Sequence, residues 1–154
     1  MSKVFYKQVE HYTDKFKSNY KALNKIDINR IARDSGVSDL KVELEKNSDA
    51  FKNLVLKVAS IISIGRVSCV VYAAVVARIA NDLGLDYTVY AGFCVRSDYP
   101  SLEKDLAYFN KKKAEGDEHP LLATHVYTTI NGVDYEYFNS DTSGINHIDV
   151  VKIA

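Results

Sequence analysis

A thiol and an imidazole stand in this chain where nucleophilic catalysis needs them. Cys69 opens an apolar, helix-forming run, Cys69-Val-Val-Tyr-Ala-Ala-Val-Val-Ala-Arg-Ile-Ala-Asn-Asp-Leu-Gly84. His125 stands near the start of a strand-like run, Thr124-His-Val-Tyr-Thr-Thr-Ile130, and a second such run ends at Phe138-Asn139-Ser-Asp141. A thiol attacks well only as thiolate, and the first turn of a helix favours the anion through its unsatisfied N–H groups and macrodipole. A nearby imidazole takes the thiol proton and later delivers it to a leaving group. A third group must hold the ring through its other nitrogen, and Asn139 or Asp141 on the neighbouring strand is the candidate.

Hairpin register decides whether that third group is in reach. Asn131-Gly132 between two strand-like runs is a strong hairpin signal. With a two-residue turn, Ile130 pairs with Val133 and equal counting sets Phe138 opposite His125. Asn139 and Asp141 then point to the other face. A three-residue loop or a bulge moves the pairing by one and brings Asn139 opposite His125, so a Cys69–His125–Asn139 triad requires that shift.

The elements that position these residues follow from periodicity and punctuation. Residues 3 to about 60 read as mostly helical: Val4, Phe5, Val9, Tyr12, Phe16 and Tyr20 recur at three- and four-residue spacing among lysines. Asp27 to Gly36 reads as a short helix with a glycine C-cap. Ser38 or Asp39 caps the next, which runs through Leu44, and Asp49 starts the segment Phe51 to Ile64. Ser68 is the expected N-cap of the cysteine helix and Gly84 its stop. Tyr87 to Val95 is rich in β-branched and aromatic residues and reads as a strand. A turn near Asp98-Tyr-Pro leads to a short helix ending about Ala114, whose solvated end carries the triple lysine 111–113, and then a polar loop. Strands follow at Leu122–Ile130 and Val133–Asn139, with a final edge strand at Ile148–Ile153. Helices first and a mostly antiparallel sheet after them make the class α+β. The expectation is a single domain over 1–154, with a helical part at 1–64 and the chemistry-bearing core at 65–154.

Composition excludes several classes of function. The chain has 154 residues, 47% hydrophobic and 26% charged, with 20 Lys plus Arg against 20 Asp plus Glu. Zero net charge leaves no global field to draw nucleic acid or an acidic membrane surface. The apolar stretch Leu54–Leu83 is interrupted by Lys57, Arg66 and Arg78, which argues against a membrane span. Two cysteines and no signal-peptide-like start point to the cytoplasm and reduced thiols. No Cys/His spacing makes a zinc site, and no cofactor is expected. Cys94 reads as core, and His11, His119 and His147 as surface positions.

The segment from Gly65 to Asp141 resembles the core of the transglutaminase-like superfamily of papain-fold cysteine enzymes. The family's cysteine at a helix start, alanine one turn later, glycine at the helix end and glycine-aromatic pair on the next strand correspond to Cys69, Ala73, Gly84 and Gly92-Phe93. Its histidine followed two residues on by an aromatic corresponds to His125 and Tyr127, and its strand-end acid to Asn139 or Asp141. Val67 replaces the family's frequent glycine, and the chain has no Trp. The resemblance implies Cys69 as nucleophile, His125 as base and acid, Asn139 or Asp141 as orienting group, and acyl transfer on an amide bond of a protein or peptide through a thioester. The Cys69 backbone N–H is a candidate oxyanion donor. Protease, deamidase and transamidase share these residues.

Two other readings use the same residues differently. A catalytically inactive papain-like module would bind protein without turning it over. Ile31-Ala-Arg-Asp-Ser-Gly36-Val-Ser with Val42 has the look of a helix-turn-helix, but Asp39, Glu43 and Glu45 on its second helix repel phosphate.

Overall fold

A computed structural model describes residues 3–96, 111, 114, 123–137 and 145–154, and side chains at 9–92, 111, 114, 125–137 and 150–154. The expected turn and short helix at 98–114, the polar loop after it, Asn139 and Asp141 fall wholly or mostly outside those residues. Five α-helices come first: α1 (Lys3–Ala22), α2 (Ile28–Asp34), α3 (Leu40–Lys46), α4 (Asp49–Ile62) and α5 (Cys69–Asp82). Strands β1 (Thr88–Arg96), β2 (Ala123–Ile130), β3 (Val133–Tyr135) and β4 (Ile145–Lys152) form one sheet in the order β3-β2-β1-β4, and every pair is antiparallel. The class is α+β, with helices packed on an antiparallel sheet.

Local chemistry sets the helix ends. The side chains of Asp27, Asp39, Ser48 and Ser68 accept from the N–H groups of Arg30, Val42, Phe51 and Val71, each satisfying a donor the first turn leaves open. Ser48 therefore caps α4, and Asp49, the expected starter, is its first helical residue, an acid at the positive end of the helix dipole. That helix stops at Ile62, two residues before Ile64, because Ser63 turns extended at ψ 142°. Gly84 ends the cysteine helix at φ +72°, a left-handed conformation that costs glycine little.

α5 is the centre of the molecule. Ten of its fourteen residues are buried, so it has no solvated stripe. Four of the ten are valines, each worth roughly 1.5–3 kcal/mol on burial. That outweighs the few tenths of a kcal/mol by which valine disfavours a helix. It packs on β2 on one side and against α1 and α4 on the others, while α2 and α3 rest on α4. One hydrophobic cluster runs from Phe16 on α1 to Tyr135 on β3. Among the described residues no helix is long and apolar enough to cross a membrane.

The hairpin forms as a two-residue turn. Asn131 at φ +51° and Gly132 at φ +76° are both left-handed, the geometry that matches strand twist. Ile130 pairs with Val133, Thr129 with Asp134 and Thr128 with Tyr135. The one-residue shift needed to set Asn139 opposite His125 is absent from these pairs. β3 ends at Tyr135, short of the strand expected through Asn139. β4 lies at the sheet edge, as expected of the last strand, and its pairing with β1 slips between Ala91 and Phe93, at Gly92.

Candidate functional site

Cys69 is the first residue of α5, as its Ser68 cap dictates; the serine hydroxyl accepts from Val71 N–H at 3.4 Å. The thiol is half-buried and packs against the hydrophobic core. Burial pushes it up from its ordinary value of 9.0. The N–H groups of Val126, Val70 and Cys69 itself pull the other way, as does the charge of Lys15. Desolvation wins this contest, so the thiol stays protonated at neutral pH despite its place at a helix start.

His125 lies on β2, paired across to Gly92 on β1, so no β1 side chain crowds the ring from that position. The residue is 1% exposed. Its Nε2 meets Glu136 Oε1 at 3.1 Å, with the carboxylate 15% exposed. Tyr127 stacks on the ring at 5.9 Å between centroids, and Tyr90 stacks on Tyr127 at 5.4 Å. An imidazole held by a carboxylate is the orienting half of a catalytic dyad. Glu136 supplies the carboxylate.

That pair stands on the face of the sheet turned away from the cysteine helix. β2 pairs with β1 through this stretch without a register break, so successive side chains alternate between faces. Thr128 faces α5, and its hydroxyl donates to Ala73 C=O at 2.8 Å. His125, three residues earlier, therefore faces away from α5. The same alternation runs through Tyr135, Glu136 and Tyr137. Tyr135 reaches Leu44 C=O at 2.7 Å and meets Phe51 edge-on, and Tyr137 stacks on Tyr72 of α5 at 5.5 Å. Both tyrosines turn to the helices, and Glu136 between them turns to His125. The His125 side chain thus stands on the face of β2 turned away from α5, while the Cys69 sulfur at the start of α5 is met by the Val126 backbone N–H.

Of the expected site residues, Cys69 has its capped helix start and His125 its strand. The described geometry unites His125 with Glu136 and not with Cys69. Glu136 carries no motif of its own in Asp134-Tyr-Glu-Tyr137. A count back from the two-residue turn does find it, since it falls opposite Tyr127 and diagonal to His125. No metal-holding group of His, Cys, Asp and Glu occurs among the described residues.

No protein family, curated protein or solved structure matches the chain.

Proposed function

We propose that the chain is a papain-like, transglutaminase-like module that binds a protein or peptide segment without thiol catalysis. The likeness rests on element order: a helix opened by Cys69, then three successive antiparallel strands with His125 on the second. The observation that supports the loss of catalysis is that the His125 side chain faces away from α5, the helix that Cys69 opens. A general base must come within hydrogen-bond reach of the proton it removes, and here the imidazole faces away from the helix that carries the thiol. A desolvated, protonated thiol supports the same reading. The module would work in the cytoplasm, where Cys69 remains a free thiol.

The second reading is a cysteine acyl-transfer enzyme, favoured by the His125–Glu136 hydrogen bond. There the Cys69 thiolate adds to an amide carbonyl, the C–N bond breaks, and the amine leaves with a proton from His125. Water or an amine then resolves the thioester. Asn139 or Asp141 is the expected orienting group in that reading, and Glu136 is the carboxylate beside the ring among the described residues.

One experiment separates the two. The native chain is treated at neutral pH with iodoacetamide, and with a peptide carrying a vinyl sulfone, in a Cys94→Ala background. The module reading expects Cys69 to react no faster than in the urea-unfolded chain, unaffected by His125→Ala. Rapid Cys69 labelling that His125→Ala abolishes overturns it in favour of the enzyme.

A further inference from the structure

We propose that the groove between α1 and the α4–α5 connection docks an acidic segment of a partner protein that carries aliphatic side chains. This rests on the module reading in one respect: it names the chemistry of the partner.

The groove has a volume of about 530 Å³, with Val70 and Ile62 among its lining residues, alongside the small side chain of Ala22 on α1. Its cations are Lys15 from α1 and Arg66 from the connection. A second cavity of about 320 Å³ shares Ser18 and Ala22 with the first and adds Lys21 and Lys25. No carboxylate and no aromatic ring lines either cavity among the described residues. The protein carries equal numbers of acids and bases overall, so four cations without a lining acid are a local segregation of charge. Apolar surface adjoins them. Ile64, part of the lining, is fully exposed at 104%, where burial would stabilise it by roughly 1.5–3 kcal/mol.

Shape and chemistry select the occupant. From Lys15 to Ala22 the path along α1 is about 10 Å at 1.5 Å per residue, the reach of roughly three extended residues. A short peptide alternating carboxylates with Leu, Ile or Val would pair with the cations and cover Ile64. Bases of a nucleic acid would find no aromatic surface to stack on. The Ser68 hydroxyl accepts from Val71 N–H as the cap of α5, and recognition rests on the charged and apolar side chains. Cys69 turns to the Val126 backbone and is not part of the lining, although the charge of Lys15, which is, reaches the thiol.

The test uses the full chain and a library of short random peptides displayed on phage. Enriched peptides are synthesised with a fluorophore and titrated by anisotropy. The expected result is enrichment of sequences combining Asp or Glu with aliphatic residues. Their dissociation constant should rise about tenfold or more in a Lys15→Glu/Arg66→Glu variant and in Ile64→Asp, each a loss of about 1.4 kcal/mol or more. Affinity should fall as salt rises and be unchanged by Cys69→Ala. Circular dichroism checks that the charge variants fold, and Lys15→Ala with Arg66→Ala repeats the test at smaller perturbation. No enrichment, enriched peptides without acids, or affinity indifferent to Lys15 and Arg66 overturns the proposal. So does tighter binding of a short DNA duplex than of any peptide. If Cys69 proves catalytic while acidic peptides still need Lys15 and Arg66, the module reading falls and this one stands.

Discussion

The imidazole of His125 meets the carboxylate of Glu136 at 3.1 Å on the side of β2 turned away from the Cys69 helix. A histidine 1% exposed on a strand needs a partner, because an unmet ring nitrogen in the interior forfeits its hydrogen bonds to water. Glu136 provides one from the neighbouring strand. The pair accounts for the histidine's burial without reference to the thiol.

Glu136→Ala should therefore destabilise the protein by about 1–3 kcal/mol, since it removes an acceptor from a buried group. Glu136→Gln, which keeps an oxygen in reach, should cost about 0.5–1.5 kcal/mol. A double-mutant cycle with His125→Ala in urea denaturation should give a coupling of about 0.5 kcal/mol or more. Additive effects would assign the burial of His125 to other contacts.

The Cys69 thiol should titrate above its ordinary value of 9.0, with burial as the cause. Folding then holds the proton that the unfolded chain releases first. Its contribution to stability is full below the unfolded value and is lost as pH rises through the folded one. In a Cys94→Ala background, stability should fall with rising pH above about 9 more steeply than in a Cys69→Ala, Cys94→Ala control. The alkylation rate of the native chain should have its midpoint on the same side. A midpoint below that of a free thiol would mean that the N–H groups and Lys15 prevail over burial.

Tyr135→Phe should cost about 0.5–1.5 kcal/mol, because it removes the buried hydrogen bond to Leu44 C=O and leaves the ring against Phe51. Tyr135→Ala should cost about 3–5 kcal/mol by opening a cavity between β3 and α4. Denaturant midpoints at constant slope measure both. Equal losses in the two variants would locate the stabilisation in the hydroxyl rather than the ring.

Gly132→Ala should destabilise by about 1–2 kcal/mol, since φ is +76° there and a Cβ disfavours that conformation. Nothing crowds the position, so backbone strain is the whole cost. Asn131→Gly should be nearly neutral. A Gly132→Ala protein as stable as the parent would mean that the hairpin reaches its register without this turn.

Short-range physics made much of the architecture legible. Asp39 and Ser68 cap their helices because their side-chain oxygens reach an N–H three residues on. Gly84 and Gly132 mark a stop and a turn because their positive φ suits glycine. The α+β class follows from where the apolar period changes from helical to alternating. These signals lie within a few residues of what they specify. The face that His125 presents does not. A strand alternates every residue, so a one-place change in how β2 meets α5 moves the imidazole to the other side of the sheet. Contacts between Thr128 and Ala73, fifty-five positions apart, and between Tyr135 and Leu44, ninety-one apart, decide that place. By itself the sequence determined a capped cysteine helix, a histidine strand and a tight hairpin. Only the tertiary packing decided that the histidine pairs with Glu136, on the face turned away from the cysteine helix.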